Sequence, residues 1–474
     1  MEQGTIDFQE ERIVHTAVAA AVFFVMMGVL AGMLWKGDLN SILIWIAVIA
    51  AVICCFIVAK AVSVIPRWAG AIVFAIALIL RLAMIWGYPI TPVSDFQETL
   101  ALATQLTQSS DWGTVIASSS GGFDTDWAMH VPFILLETLC LKLSGGNVLG
   151  IQILFGIFEA GSCLLCFKIA QRWYGTVPGI WAGLVSAINP IPLCYSPVLT
   201  NQHAATFFFL LGIWFFLARP ISSPWWNAGL TGISFALSHL IRPEMQVVLI
   251  AVICYLGYQL FFFLLGRKKG KSLKIILTGI IILGVFFIAI GLCDVALQKT
   301  GLTKQSIFNG NLTYKIAVGL NQDSKGYWNQ EDWEIYHDQP ELEQRIRERI
   351  SQPGMVEFMV KKVISQYGTY HYDWAVCDGA SPEFRNIFSK TVQSFMFLIL
   401  LLASVAILSL VRKFRMEEMF LLIVVLGYFI TFSIIEVQDR YNYLLIAVFT
   451  IFAAKIGSMA ESFLVRRQEI AIDK

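Results

Sequence analysis

The residues of this sequence best suited to chemistry are a few carboxylates, arginines and histidines at the ends of long apolar runs. Asp95 lies in Tyr88-Pro89-Ile90-Thr91-Pro92-Val93-Ser94-Asp95-Phe96, directly after one such run. The two prolines favour an extended approach and disfavour continued helix. A carboxylate held there by a stiff loop is placed for general-base work or for binding a cation. The same pattern suits a helix N-cap, with Ser94 or Asp95 capping the helical-looking 96–106. Asp124, Asp126 and His130 form a second group ahead of Pro132. Asp-x-Asp with a nearby His makes a divalent cation a candidate there. The chain has six histidines and no His-Glu-x-x-His pattern, so no metal ligand is assigned.

Two arginines stand between apolar runs, in Arg242-Pro243-Glu244 and Asp439-Arg440-Tyr441. A guanidinium fork matches phosphate oxygens, so the pair could grip a phosphate. The alternative is an arginine that snorkels or pairs with Glu244 or Glu436. His203, beside Asn201 and Gln202 at another turn, is a candidate to join them.

The elements that must position these residues are apolar. Of 474 residues, 57% are hydrophobic and 14% charged, with a mean hydropathy of +0.68. A soluble domain carries nearer about 25% charge. The apolar residues are bunched into continuous stretches of roughly 18–24, the length that crosses a bilayer as helix. Lipid leaves backbone groups unsatisfied unless they bond within a helix or closed barrel, and continuous runs exclude barrel strands. The segment before the first run is acidic, with Glu2, Asp7, Glu10 and Glu11 against Arg12, so a retained anchor is expected rather than a cleaved leader. Most of the nine cysteines lie within apolar runs. Cys163 and Cys166 form a C-x-x-C with no second pair, which reads as packing.

Spans are expected near 13–35, 41–64, 68–88, 148–169, 177–198, 203–218, 224–240, 245–265, 273–297, 391–411, 416–437 and 442–461. The short-loop cations Lys60, Arg67, Lys168, Arg172, Arg219, Arg267, Lys268, Lys269, Lys271, Lys274, Arg412, Lys413, Arg415, Arg466 and Arg467 then all fall on one side, the cytoplasmic one. Lys36 falls opposite, a single charge next to Asp38. Residues 131–143 are apolar but short; a span there would invert every later cluster, so an interfacial or partly dipping helix is expected. The fold class is an all-α polytopic membrane protein of about twelve transmembrane helices, with interfacial helices in the first outer loop and one larger outer loop. Its regions are 1–297, which includes the outer loop 89–147, then 298–390, then 391–474. The outer loop 89–130 has no Lys or Arg but holds Asp95, Glu98, Asp111, Asp124 and Asp126.

In order and topology these residues resemble the GT-C superfamily of membrane glycosyltransferases, and among them the bacterial relatives of protein O-mannosyltransferase and of the lipid A aminoarabinose transferase. Arg81-Leu82, Pro92 and Asp95 resemble the approach to the family's catalytic acid. His130-Val131-Pro132-Phe133 resembles the His-Pro-Pro segment that opens its partly embedded helix. Gly175 and Asn189-Pro190 fall where its next helices turn and kink, and Arg440-Tyr441 is similar to its C-terminal Arg-Tyr. Asn321, Gly326, Trp328, Asn329 and Asp332 resemble a pattern in the large outer loop of several bacterial members. The sequence departs from the family in two places. Phe96 and Gln97 stand where many members carry a second acid, which argues against a metal at Asp95, and Val131 separates His130 from Pro132.

The resemblance implies a bacterial plasma-membrane enzyme with its active site on the outer face. It would move a monosaccharide from a polyprenyl-phosphate donor to an envelope glycan, lipid or protein, with inversion. Asp95 would be the base, Arg242, Arg440, Tyr441 and His203 would bind the donor phosphate, and Asp126, His130, Asn321 and Asp332 would bind sugar or acceptor. The partners expected are this donor, membrane lipids and the acceptor, with no nucleic acid. A lipid-linked sugar flippase would need polar residues deep in several spans; Arg81, Glu137 and Glu159 are the few such charges. No internal repeat supports a transporter. A glycan ligase using a lipid diphosphate stays open.

Overall fold

The computed structural model describes residues 2–35, 39, 41–265, 271–368, 376–377, 380–411 and 415–459. Lys36, Asp38, Arg267, Lys268, Lys269, Arg412, Lys413, Arg466 and Arg467 lie outside the described residues. Every regular element among the described residues is helical. The first three spans are α1 (Glu2–Trp35), α2 (Ile42–Val62) and α3 (Ala69–Gly87). A loop bearing α4 (Asp95–Gln108), α5 (Trp112–Ala117) and α6 (Val131–Leu143) follows. Then come α7 (Leu149–Tyr174), α8 (Thr176–Ile188), α9 (Pro190–Tyr195), α10 (Gln202–Ile213), α11 (Pro224–Ile241), α12 (Met245–Leu264) and α13 (Lys271–Lys299). The longest polar stretch carries α14 (Leu312–Gly319), α15 (Gln330–Glu334), α16 (Gln339–Ile350) and α17 (Met355–Gly368). The chain returns through α18 (Pro382–Leu410), α19 (Met416–Ile434) and α20 (Tyr443–Ala453).

Nine helices among the described residues are long and apolar enough to cross a membrane, so the chain is a polytopic helical membrane protein. Three expected spans do not meet that measure. The 177–198 run is broken into α8 and α9 at Asn189-Pro190, because Pro190 has no N–H to continue the ladder. The 203–218 run is short and ends in a widened turn, Trp214–Ala218. Helix α11 carries Asn227, Ser234, Ser238 and His239, which lower its apolarity. Helix α6 has 13 residues and so reaches only about 20 Å.

Burial separates centre from rim. In α7, α18 and the span at α20, 61–67% of the apolar window is buried; in α2, α3 and α13 it is 22–28%. The outer faces of α2 expose Ile42, Leu43, Ile46, Ile49, Ile53 and Ile57, a stripe suited to lipid and too apolar for water. Close approach of the central helices depends on small residues. A Cβ on Gly183 of α8 would lie 2.6 Å from Val73 of α3 and 3.1 Å from the Cys163 carbonyl of α7. The 298–390 region has a small core of its own, with Tyr314, Ala317, Val318 and Leu342 under Trp333, Tyr336 and Ile346.

Candidate active site

Helix α4 begins at Asp95 rather than after it, and Ser94 occupies the cap position at φ 53° without a side-chain cap bond. That left-handed conformation costs a non-glycine residue on the order of 1 kcal/mol or more and persists where surrounding contacts impose it. Here the contact is across the chain. Asp95 Oδ2 accepts from Arg440 Nη2 at 2.6 Å, and Oδ1 accepts from Ser94 Oγ at 3.2 Å. Arg440 also donates through Nε to Gln438 Oε1 at 2.6 Å and lies over the Phe96 ring. Asp95 is 61% exposed along its side chain, so it is open to a reactant, whereas Arg440 is 11% exposed. Partial burial would raise the Asp95 pKa, but Arg440 above all, with His130 and Lys315, outweighs it and holds the carboxyl at about 2.

Arg242 closes α11 in extended backbone. Its Nε donates to Glu244, its Nη1 donates to Asn201 Oδ1 at 2.9 Å, and its guanidinium lies 5.1 Å from the Tyr441 ring centre. The Tyr441 hydroxyl donates to Glu436 Oε2 at 3.3 Å, the same oxygen that Lys315 Nζ meets, and Gln438 Nε2 donates to Oε1 at 2.9 Å. Arg242, Lys315 and Arg440 thus gather near Tyr441, each with its own carboxylate: Glu244, Glu436 and Asp95. The structure brings together five of the residues singled out in the sequence, Asp95, Arg242, Arg440, Tyr441 and His130. It adds Lys315, which no local pattern marked.

His130 completes the group. Burial, then the charges of Arg242, Lys315 and Arg440 against that of Asp95, brings its pKa down to about 4, so it is neutral at pH 7. Its ring stacks on Trp127 at 5.8 Å. The other candidates are used elsewhere. Asp126 Oδ2 meets His337 Nδ1 at 2.8 Å, and its carbonyl accepts from Asn311 Nδ2 at 3.2 Å, which ties the first loop to the 298–390 region. Asp332, fully buried, accepts from Asn329 and Arg349 at 2.9 Å and from Asn321 at 3.2 Å, a polar knot within that region. His203 points into the bundle and meets Glu159 and Tyr443 at 2.9 Å. Asp124 pairs with Lys304 at 2.6 Å, so Asp124, Asp126 and His130 do not converge; no group of three metal-ligating side chains is found among the described residues.

This arrangement offers an open carboxylate beside three cations and a neutral imidazole, at the end of the bundle where the loop after α3 meets the turns before α10, α12 and α20. Residues 130–290 match the family model described as dolichyl-phosphate-mannose-protein mannosyltransferase. No curated protein matches the chain. Among solved structures, the archaeal oligosaccharyltransferase AglB from Archaeoglobus fulgidus, in complex with an inhibitory peptide and a dolichol-phosphate, is similar at 12% identity over 85% of this chain, 52% of its own and a TM-score of 0.44. The same organism's oligosaccharyltransferase with zinc and sulfate gives 11%, 84%, 50% and 0.43. ArnT from Cupriavidus metallidurans, bound to undecaprenyl phosphate, gives 12%, 80%, 77% and 0.36. The chain spans about half the length of the two oligosaccharyltransferase chains. With the mannosyltransferase pattern beginning at His130 itself, the chain resembles the GT-C membrane glycosyltransferases.

Proposed function

We propose that the chain transfers a monosaccharide from a polyprenyl-phosphate donor to a hydroxyl acceptor of the cell envelope, on the outer face of a bacterial plasma membrane. One observation carries the reading: Asp95, open to solvent, is held by Arg440 beside Arg242 and Lys315. A carboxylate with a pKa of about 2 is a poor base. A donor phosphate that takes the Arg440 guanidinium releases Asp95 and removes the charge that depresses it. The acceptor oxygen then attacks the anomeric carbon and passes its proton to Asp95, while the bond from that carbon to the phosphate oxygen breaks. Configuration inverts, and the departing polyprenyl phosphate gains a negative charge, which Arg242, Arg440 and Lys315 stabilise. His130, being neutral, hydrogen-bonds sugar hydroxyls without competing for phosphate. The mannosyltransferase pattern at 130–290 supports a lipid-phosphate donor over a nucleotide sugar.

The test is Asp95→Asn in purified protein supplied with radiolabelled polyprenyl-phosphate sugars, and in parallel with polyprenyl-diphosphate glycans. Transfer from the monophosphate should drop on the order of 10²–10⁴-fold. Binding of polyprenyl phosphate should persist or tighten, because Arg440 loses its competitor. Transfer at the wild-type rate would remove Asp95 from the mechanism, and turnover of the diphosphate alone would make the protein a glycan ligase.

A further inference from the structure

A second ionic centre lies inside the bundle and is absent from the mechanism above. Glu159 of α7 is 3% exposed, yet its carboxylate is surrounded by donors from four other elements. Oε1 accepts from the Tyr443 hydroxyl and lies 2.9 Å from His203 Nδ1. Oε2 accepts from Ser196 Oγ at 2.7 Å and lies 3.5 Å from Arg81 Nε. Arg81, 1% exposed, also donates to the Ser186 carbonyl at 3.2 Å and to that of Ala187, so it ties α3 to the end of α8. His203 Nε2 lies 3.1 and 3.2 Å from the carbonyls of Tyr195 and Val198, which clamps the ring from its other side. Charges at this depth are costly, and they persist where partners satisfy them and where function requires them.

Both arms of this centre lead to the phosphate-binding arginines. Tyr443 is the first residue of α20 and follows Arg440 by one short turn, Asp439–Asn442. His203 lies in the first turn of α10, two residues after Asn201, whose Oδ1 holds Arg242 Nη1. At about 1.5–2 Å per residue, Tyr443 lies within one turn of Arg440, and His203 within one turn of the Asn201 that holds Arg242, so each side chain is a close support of its arginine.

We infer that Glu159, by holding His203 and Tyr443 together, fixes the spacing of Arg242 and Arg440 and so sets the affinity for lipid-linked phosphate. Glu159 is a positioning residue that touches no reactant. The inference rests on the proposed function, and it adds that the donor-phosphate subsite is built from within the membrane span.

The experiment measures binding of undecaprenyl phosphate in micelles, with undecaprenol as the control for the tail, and the acceptor KM in parallel. Glu159→Gln keeps the volume but turns one acceptor oxygen into a donor facing donors. It should weaken phosphate binding roughly tenfold, about the effect of one hydrogen bond to a charged group. The acceptor KM and undecaprenol binding should stay unchanged. Tyr443→Phe, which removes a single hydroxyl, should act in the same direction and serves if Glu159→Gln does not fold. In an Arg440→Gln background Tyr443→Phe should add little further loss, because its effect passes through that arginine. Wild-type affinity in Tyr443→Phe and Glu159→Gln, whatever their thermal midpoints, would overturn the inference and leave the proposed function standing. Undecaprenyl phosphate binding that does not respond to Arg242→Gln or Arg440→Gln would instead overturn the proposed function, and the inference with it.

Discussion

Among single residues, Lys315 shows most clearly how the site is balanced. Its partner Glu436 is completely buried, so removing the cation leaves that carboxylate only the neutral donors Tyr441 and Gln438, at a cost of up to about 3–5 kcal/mol. Lys315→Met should therefore lower the thermal midpoint and weaken phosphate binding together. Adding Glu436→Gln should restore the midpoint without restoring the binding; recovery of both would mean that Lys315 only neutralises Glu436. His130 yields a pH signature. Its pKa is about 4 in the folded protein against an ordinary 6.5, so between those values the unfolded chain takes up a proton that the folded one refuses. Its contribution to stability is complete above pH 6.5 and declines as the pH falls toward 4. His130→Gln should flatten that decline in a series of thermal midpoints, and parallel curves would contradict it. Arg242 and Arg440 were legible in the sequence because cations in short outer loops run against the inside bias, and Asp95 because it follows a span through two prolines. Lys315 was not, because a lysine in a long polar loop carries no topological signal. His203 shows the limit of chain position: it stands beside Asn201 in sequence, but the helical turn aims its ring at Glu159.

At the scale of elements, the apolar runs and the short helix α6 were readable from length alone, and the interruptions were only partly so. Asn189-Pro190 announced the break between α8 and α9, whereas nothing in Trp214–Ala218, which packs against α7 and α11, announces a widened turn. The approach to Arg440 was invisible for a similar reason. Residues 435–438 are extended, and they are held by contacts from elsewhere: Glu436 N donates to the Lys315 carbonyl at 2.9 Å, Val437 N to that of Gly326 at 2.8 Å, and Lys362 Nζ to those of Gly319 and Ile435. Burial pushes the Lys362 ammonium down to about 7, so this clamp works even with a neutral amine. A Cβ on Gly319 would stand 2.1 Å from the Ile434 carbonyl oxygen and 2.3 Å from the Ile435 carbonyl carbon, both backbone atoms with little room to give. Gly319→Ala should displace this segment and Arg440 with it. Undecaprenyl phosphate binding per folded molecule should fall at least about tenfold, the order of one lost charge-assisted contact. Gly284→Ala, where an added Cβ meets nothing within 4 Å, is the matched control and should bind as wild type.

Across the whole molecule, the charge asymmetry that set the topology has an exception at the site, and the pairing accounts for it. Lys60, Arg67, Lys168, Arg172 and Arg219 lie at one end of the spans, while Arg242, Lys315 and Arg440 lie at the other. Orientation is governed by cations that are free near the membrane as it is threaded. Once folded, each of these three cations is matched by one carboxylate, so together they add almost no net charge to the site until a phosphate arrives. Of the acids in the loop before α6, Asp95 alone meets one of these three cations, while Asp124 pairs with Lys304 and Asp126 with His337. The two ends can be told apart in intact cells of a cysteine-free variant. Gln352 and Arg172 are both exposed, the first in the 298–390 region and the second at the far end of α7. A membrane-impermeant maleimide should label Gln352→Cys in intact cells and Arg172→Cys only after lysis. The reverse pattern would invert every span and place Asp95 in the cytoplasm, where nucleotide sugars compete with lipid-linked ones and the case for a polyprenyl-phosphate donor loses its physical ground.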